Sequence, residues 1–323
     1  MTWLITGGAG YIGAHVVRET LASGRNVVIL DDMSTGIARR IPEGVPLEQI
    51  TLTDAAGVNS VFQRHDITGV LHLAARKQVG ESVDKPLFYW DENVTGFNNL
   101  MSAMTAHNVR NLVFSSSAAV YGQPELQPGA LITEATQCSP INPYGATKLA
   151  GEWISEALAS SSGFRVAALR YFNVAGAGSA ELGDEFVLNL VPIVFDALTK
   201  GNQPHVFGDD YATPDGSCVR DYVHVQDLAE AHVAAMDYVE KPDTTFAAIN
   251  IGTGTGASVF EVLNVMREVT GLEINPVHAP RRAGDPAALT ADVSKAAELL
   301  NWRSKFDLHD IVESAWLAWQ QRP

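Results

Sequence analysis

The stretch that decides the fold lies at the start of the chain, in residues 2–13: TWLITGGAGYIG. Its first apolar residues indicate a short strand, and the glycines Gly7, Gly10 and Gly13 indicate a tight turn that leads into a helix. Glycines lack Cβ, so a pyrophosphate can come close to the free N–H groups of a helix N-terminus, where the helix dipole favours negative charge. The pattern therefore predicts a dinucleotide-binding turn. The alternative is an ordinary tight turn at the start of a βαβ unit.

A second apolar run, residues 27–30, ends in Asp31, 18 residues after Gly13. In dinucleotide-binding βαβ units an acidic residue about 20 positions further on accepts hydrogen bonds from the adenosine ribose. A carboxylate there favours the free 2′-hydroxyl of NAD and repels the 2′-phosphate of NADP. The turn and Asp31 together predict an NAD site. We interpret the nearby Arg39 and Arg40 as part of a solvated loop.

Composition restricts the classes of partner and compartment. The chain has 323 residues, of which 46% are hydrophobic, and 22 basic against 37 acidic residues give a formal net charge of −15. This negative field disfavours nucleic acids and anionic membranes as partners, and an anionic substrate would need local arginines. No apolar run approaches about 18 residues, and the early glycine turn leaves no room for a signal peptide. Cys138, Cys218 and the histidines lie in no metal or redox spacing, so we expect a cytoplasmic protein without a metal.

Strand-like and helical segments alternate along the first half of the chain. Strands are predicted at 69–73, 111–114 and 165–170, and helices at 55–64, 86–107 and 143–161. This alternation predicts an α/β fold with a Rossmann-like, doubly wound parallel sheet and ligands at the carboxyl ends of its strands. Beyond residue 177 the pattern loosens, with strands expected at 205–207, 217–221, 248–251 and 274–278.

We therefore predict two domains. Residues 1–176 form the NAD-binding Rossmann domain, and residues 177–323 form a smaller C-terminal α+β substrate domain. This division leaves room for the two domains to interleave.

Three polar residues form a candidate catalytic set. Tyr144 and Lys148 are four residues apart and share one face of the predicted helix. A nearby ammonium lowers the pKa of a tyrosine, so this pair could remove a hydroxyl proton while a hydride leaves the neighbouring carbon. Ser117 follows a predicted strand, where its hydroxyl could join the substrate oxygen to Tyr144. Each feature alone is common, but the three in this order favour hydride-transfer chemistry.

Taken together, these features resemble the extended short-chain dehydrogenase/reductases, and most closely the UDP-glucose 4-epimerase family. The matching stretches cover nearly the whole chain: TGGAGYIG from Thr6, HLAARKQVGES from His72, PLFYWDENVTG from Pro86, SSSAAVYG from Ser115, SPINPYGATK from Ser139, LRYFNVAGA from Leu169, DGSCVRDYVHVQDLA from Asp215 and APRRAGDPA from Ala279.

The resemblance implies NAD-dependent, reversible epimerisation at C4 of UDP-glucose and UDP-galactose through a 4-keto sugar. It also implies a homodimer formed by helices near Asn98 and Trp153. The implied catalytic residues are Ser117, Tyr144 and Lys148. Those implied to bind NAD are Gly7, Gly10, Tyr11, Ile12, Gly13, Asp31, Lys77, Asn93, Lys148 and Tyr171. Those implied to bind the UDP-sugar are Ser117, Tyr144, Asn173, Asn189, Leu190, Phe207, Arg220, Arg282, Asp285 and Leu289.

The chain departs from the family pattern at four places. Thr51 and Leu52 stand where the family usually has Asp-Ile near the adenine, and Ala119 replaces a frequent threonine near the sugar. The other two departures concern the sugar pocket. The segment 178–188 is short, and Leu289 stands where well-known members of the family have tyrosine. Two other functions stay open. Another nucleotide-sugar enzyme of the superfamily, such as a dehydratase or decarboxylase, is one alternative, although Ala118 and Ala119 replace the acid pair that a dehydratase needs. A non-catalytic dinucleotide-sensing or scaffold protein is the other, although such proteins typically lose the tyrosine or the lysine.

Overall fold

The largest element of the fold is a seven-stranded parallel sheet, seen in a computed structural model that describes residues 1–127, 129–282 and 284–322. Its spatial order is β10 (Phe246–Ile251), β6 (Arg165–Tyr171), β5 (Asn111–Ser115), β4 (Ile67–His72), β1 (Thr2–Thr6), β2 (Asn26–Leu30) and β3 (Leu47–Glu48). Strands β1, β2 and β3 follow one another toward one edge of the sheet, whereas β4, β5 and β6 follow one another toward the other edge. The gap between β1 and β4 is therefore the switch point where doubly wound sheets bind dinucleotides. The predicted Rossmann-like fold is confirmed.

Both faces of this sheet are buried, and the alternation of side chains in β1 shows how. Trp3 and Ile5 point into one core, and Leu4, one residue apart from each, points into another. Each core is closed by helices, which explains why the strands read as continuous apolar runs rather than as alternating patterns.

The helices lie in the following order along the chain: α1 (Tyr11–Ala22), α2 (Ala55–Arg64), α3 (Val79–Asp84), α4 (Pro86–Trp90), α5 (Gly96–Ala106), α6 (Pro143–Ser162), α7 (Leu190–Thr199), α8 (Val225–Val239), α9 (Val259–Thr270), α10 (Ser294–Leu300) and α11 (Leu308–Gln320). No helix in the described part of the chain is both long and apolar enough to cross a bilayer.

The single helix predicted at 86–107 is in fact interrupted. Between α4 and α5 the chain forms a π-helical turn, Asp91–Thr95. The inserted turn places Asn93 in a buried position beneath the loop that follows β4. Interruptions of this kind are frequent at functional sites, and periodicity alone does not reveal them.

A second, smaller group of strands lies beyond β6. In this sheet β9 (Val219–His224) pairs in parallel with β7 (Asn173–Ala175) and β13 (Ala288–Leu289), and antiparallel with β11 (Gly256–Ser258). A separate pair consists of β8 (His205–Phe207) and β12 (Val277–Ala279). Helices α7, α9 and α11 cover a core of their own that includes Phe195 and Met266. The strands predicted at 217–221 and 274–278 therefore begin later than expected.

One assignment to the second domain is wrong. The strand predicted at 248–251 is part of β10, which extends the large sheet beside β6, and α8 packs on α1 against the same sheet. The chain leaves the large sheet after β6, forms β7 and β9 of the smaller sheet, returns through α8 to β10, and then adds β11 and β13 to the smaller sheet. Local pattern does not reveal such a return, because the pairing of β10 with β6 joins segments distant in sequence.

Candidate active site

The glycine turn leaves a cradle that only glycines can form. Gly7 has φ of +74°, and a Cβ there would lie 2.8 Å from the Ala74 backbone nitrogen. A Cβ at Gly13 would lie 2.0 Å from the carbonyl oxygen of Gly7. Helix α1 begins after Gly10 with no side-chain cap and no acidic residue in its first turn. Its free N–H groups and its dipole therefore face the cradle unopposed, which suits a pyrophosphate.

Asp31 lies at the end of β2 with its carboxylate fixed by the backbone. Its Oδ2 accepts a hydrogen bond from the Ala9 N–H at 3.0 Å, and its Oδ1 accepts one from the Met33 N–H at 2.9 Å. Burial raises the pKa of Asp31, and these two backbone bonds lower it in part. Each carboxylate oxygen keeps a lone pair for a ribose hydroxyl, so the site fits the adenosine half of a dinucleotide.

A groove of about 450 Å³ connects these features. Eight of the residues predicted to bind NAD line it: Gly7, Gly10, Tyr11, Ile12, Gly13, Asp31, Lys77 and Asn93. The segment after β3 contributes Thr51 and Leu52, and the short segment 178–188 contributes Phe186 and Leu188. The chemistry and shape of this groove therefore fit NAD.

Asn93 lines the groove but uses its amide on the protein itself. Its Oδ1 accepts a hydrogen bond from the Arg76 N–H at 2.8 Å, and its Nδ2 donates to the Arg76 carbonyl oxygen at 3.0 Å and to Thr147 Oγ1 at 3.1 Å. It therefore fixes the loop after β4 against α6.

Ser117 and Tyr144 come together because of a glycine. Helix α6 begins at Pro143, with the Asn142 side chain as its cap, and a Cβ at Gly145 would lie only 2.6 Å from the Ala119 carbonyl oxygen. This close approach brings Tyr144 beside the turn that starts at Ser117. The Ser117 Oγ accepts a hydrogen bond from the Ala119 N–H at 3.2 Å. The Ser117 side chain also hydrogen-bonds to Tyr144, so the two hydroxyl groups can meet one substrate oxygen.

Lys148 lies one turn further along α6 and is buried. Its Nζ donates to the Ser115 carbonyl oxygen at 2.7 Å, and the Ser115 hydroxyl hydrogen-bonds to the hydroxyl of Tyr171. Lys148 and Tyr171, the last two residues predicted to contact NAD, thus meet at the carboxyl ends of β5 and β6. Parallel strands place such residues at one edge of the sheet, where ligands bind.

The pKa values in this cluster differ from the expectation. Burial raises the pKa of Tyr144, and its hydrogen bond with Ser117 lowers it in part. Burial lowers the pKa of Lys148 to about 7. The prediction that the Lys148 ammonium lowers the pKa of Tyr144 is therefore wrong for this geometry. Burial outweighs any effect of the ammonium on Tyr144, whose ring centroid lies 5.9 Å from Lys148 Nζ.

The second part of the chain brings the predicted UDP-sugar residues close to one another. Arg220 forms an ion pair with Asp285. The Arg282 guanidinium lies 3.9 Å from the ring centroid of Phe207. A Cβ at Gly284 would lie 3.3 Å from Cδ1 of Ile141, so this arginine segment reaches the start of the catalytic helix α6. Two guanidinium groups thus stand near a site that an anionic substrate would enter.

Strand pairing fixes two further residues of this group. Asn173 pairs with Tyr222 on β9, and Leu289 pairs with Arg220 on the same strand. The Leu289 side chain packs against the small core that includes Ala118. Leu289 therefore lies between Arg220 and the turn that starts at Ser117.

The other two lie at the start of α7. Asn189 precedes this helix and donates a hydrogen bond from Nδ2 to Asp184 Oδ2 at 2.8 Å, so its amide is tied to the segment 178–188. Leu190, the first residue of α7, packs against the core beneath that helix.

Behind the catalytic cluster lies a buried polar network that sequence reasoning missed. Arg170 Nε and Nη2 donate to the Glu152 carboxylate at 2.9 and 2.5 Å, and Arg170 Nη1 donates to the Tyr121 hydroxyl at 3.0 Å. The Ser116 hydroxyl donates to Glu152 as well. Glu152 is four residues after Lys148 on α6, and Arg170 interrupts an apolar strand. Those two signals together could have revealed the pair.

Comparisons with known proteins are consistent over the full chain. The model of the NAD dependent epimerase/dehydratase family matches residues 3–252. The UDP-glucose 4-epimerase of Corynebacterium glutamicum is 44% identical over 319 residues, 98% of this chain and 95% of that protein. That of Halalkalibacterium halodurans is 42% identical over 100% of this chain and 97% of its own.

Solved structures agree with these relatives. The UDP-glucose 4-epimerase of Bifidobacterium longum, in complex with NAD+ and UDP, has a TM-score of 0.89 at 38% identity, covering 99% of this chain and 98% of its own. The UDP-glucose 4-epimerase of Stenotrophomonas maltophila, with bound NAD and formylated UDP-arabinopyranose, has a TM-score of 0.94 at 37% identity, covering 99% and 98%. The chain belongs to the NAD-dependent epimerase/dehydratase family, and within it to the UDP-glucose 4-epimerases.

Proposed function

We propose that this protein interconverts UDP-glucose and UDP-galactose by inverting C4 of the sugar, with NAD as its resident cofactor. The observation that carries the proposal is the meeting of Ser117, Tyr144 and Lys148 at the carboxyl edge of the sheet, beside a groove that fits NAD. The reaction is neutral in redox terms, because the hydride removed from C4 returns to C4.

The chain's own residues handle the proton of the 4-hydroxyl. Tyr144, in its deprotonated form, accepts this proton, and Ser117 donates a hydrogen bond to the sugar oxygen while its Oγ accepts from the Ala119 N–H. Lys148 orients the nicotinamide ribose from its position on Ser115. NAD, when bound, accepts the hydride from C4 and gives it back. The resulting 4-keto sugar turns its other face to the site before the hydride and proton return, which inverts the configuration.

The substrate's diphosphate is held by residues of the second part of the chain. Arg220 and Arg282 offer forked, permanently charged donors that match phosphate oxygens. They supply local positive charge in a chain whose formal net charge is −15. Asn173, Asn189, Leu190, Phe207, Asp285 and Leu289 complete the proposed binding set. We assign this role to the predicted domain of residues 177–323, interleaved with the domain of residues 1–176, and we place the protein in the cytoplasm.

The direct test incubates purified protein with UDP-galactose and no added NAD. We expect UDP-glucose to form, and NAD to be released on denaturation in near-equimolar amount. A dehydratase would instead give a 4-keto-6-deoxy sugar, and a sensing protein would leave the substrate unchanged. Either result would contradict the proposal. NADP in the denatured sample would show that Asp31 does not choose the cofactor.

Leu289 supports a second, partial activity on UDP-N-acetylglucosamine. It is shorter than the tyrosine that other family members have there, so it leaves space beside the C2 substituent. The side chain is half-buried and packs near Ala118, next to the catalytic Ser117. A change of shape alone typically alters substrate preference by only about 1–3 kcal/mol per methylene-sized group, so we propose broadened acceptance rather than a switch.

The substitution Leu289→Tyr tests this assignment. We expect kcat/KM for UDP-N-acetylglucosamine to fall by about tenfold relative to that for UDP-glucose, because the ring and hydroxyl fill the added space. Kinetics of both substrates on parent and variant provide the ratio. An unchanged ratio would mean that Leu289 is a packing residue and not a determinant of sugar preference.

We further propose a homodimer through the helices near Asn98 and Trp153, α5 and α6, together with the exposed faces of α3 and α4. Large apolar side chains that are exposed in one chain gather there: Val79, Val83, Leu87, Trp90 and Trp153. Helices α3 and α4 both contact α6, so these residues belong to one region. Apolar patches of this kind on a soluble protein mark interaction sites.

Replacing Trp153 with glutamate should convert the dimer to monomer, because a buried unpaired carboxylate is costly at the centre of an apolar interface. Sedimentation equilibrium measures the mass of parent and variant. Leu317→Glu on α11 provides the control, since Leu317 is also exposed but lies on another helix. A dimeric Trp153→Glu variant, or a monomeric parent, would contradict the proposed interface.

A further inference from the structure

One arginine bridges the two walls of the dinucleotide groove. Arg76 follows β4, and its Nη1 donates to Ser34 Oγ at 2.9 Å while its Nη2 lies 3.3 Å from Asp32 Oδ2. Asp32 and Ser34 follow β2 on the opposite side of the sheet's switch point, directly after Asp31. All three residues of the bridge line the groove.

The side chain of Arg76 is positioned from behind. Its backbone N–H and carbonyl are both held by the Asn93 amide. Its Nε donates to Glu92 Oε2 at 2.9 Å, and its guanidinium lies 5.3 Å from the ring centroid of Phe88. These contacts already restrict the side chain of Arg76 to few rotamers, so it loses little further conformational freedom when it contacts Ser34 and Asp32. The bridge to Ser34 and Asp32 therefore forms at a low entropic cost.

The position of the bridge determines what it encloses. Asp31, the residue proposed to accept hydrogen bonds from the adenosine ribose, lies at the same end of the groove. The contacts of Arg76 with Asp32 and Ser34 therefore cross the groove on the side of the adenosine. We propose that Arg76 retains NAD in the protein by closing the groove over the adenosine half of the dinucleotide. This role rests on NAD occupying this groove, and it concerns release of the cofactor rather than the chemistry at C4.

The charges in the groove add to this role. Acidic residues that line it include Asp31, Asp32, Glu81 and Glu92, and they would repel the pyrophosphate of NAD. Arg76 pairs with two of these carboxylates, Asp32 and Glu92. A neutral side chain at position 76 would therefore both open the bridge and leave more negative charge facing the cofactor.

The test measures NAD release from the purified holoprotein by exchange with isotopically labelled NAD. We expect Arg76→Leu to release NAD about five- to tenfold faster than the parent, since the bridge consists of partly exposed charge-assisted bonds. Arg76→Lys keeps the charge without the fork and should fall between the two. Arg64→Leu is the matched control, because Arg64 forms a similar ion pair with Glu48 away from the groove.

Two further variants separate retention from a merely structural role. Glu92→Gln keeps an oxygen that can accept from Arg76 Nε and leaves the bridge across the groove, so its release rate should stay within about twofold of the parent. Ser34→Ala removes one of the two contacts that form the bridge and should speed NAD release about two- to threefold. Release from Arg76→Leu at the rate of Arg64→Leu would overturn the proposal. So would Glu92→Gln releasing NAD as fast as Arg76→Leu. Neither outcome depends on which sugar the enzyme epimerises.

Discussion

Tyr144→Phe should lower kcat for UDP-galactose by about 100- to 10,000-fold, the range typical of a general acid–base group. The phenyl ring fills the same space, so helix α6 and its contact with the Ser117 turn stay intact. What is lost is the oxygen that we propose accepts the proton of the 4-hydroxyl. Because the variant leaves unchanged the glycine turn, Asp31 and the groove that we propose hold NAD, it should retain the cofactor.

The control for this experiment is Tyr238→Phe, which removes a hydroxyl from a half-buried tyrosine on α8. Its kcat should match the parent. Bound NAD is quantified in both variants after denaturation, which separates a loss of chemistry from a loss of cofactor. If Tyr144→Phe keeps a kcat within a few-fold of the parent, Tyr144 is not the proton acceptor.

The fold class could be predicted because its signals are local. Apolar runs at regular spacing, a glycine turn and an acidic residue after the second run all lie within short stretches, and each reflects burial or backbone geometry. The return of α8 and β10 to the large sheet could not be predicted in this way. It depends on the pairing of β10 with β6, which are distant in sequence. An apolar strand could be buried equally well in the large or in the smaller sheet, so its local sequence does not say which sheet it joins.

The motif residues of the candidate site could be predicted from sequence, whereas the partners of its arginines could not. The catalytic residues and the glycine cradle carry motifs whose spacing has a physical reason. Arg76 carried none, because an arginine in a loop is usually solvated, and only the spatial approach of the loops after β2 and β4 gives it partners. Arg220 and Asp285 were both assigned to the UDP-sugar set, and only the structure shows that they form an ion pair with each other.

The predicted effect of Lys148 on Tyr144 failed for a reason that sequence cannot supply. Whether an ammonium stabilises a phenolate depends on how deeply both are buried, and burial shifts each group toward its neutral form. In this protein burial is the largest influence on both pKa values. A spacing of four residues along a helix predicts that Tyr144 and Lys148 lie close together, but it does not predict how deeply the two groups are buried.

The largest expected effect on stability concerns Arg170. Arg170→Leu should reduce the free energy of unfolding by about 3–5 kcal/mol, because it leaves the Glu152 carboxylate buried without its cation. Glu152 is 3% exposed, and its remaining partner in the part of the chain that the structure describes is the Ser116 hydroxyl. Denaturant unfolding, followed by tryptophan fluorescence, measures the change. Arg39→Leu is the matched control and should cost about 1 kcal/mol or less, since its partner Glu185 also contacts Arg40.

A double variant decides what the pair contributes. In Arg170→Leu combined with Glu152→Leu no charge is left buried, so most of the lost stability should return, as replacement of a buried ion pair by apolar groups is often neutral. Activity should not return with it. Glu152 bonds to Ser116, directly before the catalytic Ser117, and lies one turn beyond Lys148 on α6. The pair would then be retained to place Ser117 against Tyr144 rather than to stabilise the fold. A double variant that regains stability and full kcat together would show that the network has no part in positioning the catalytic residues.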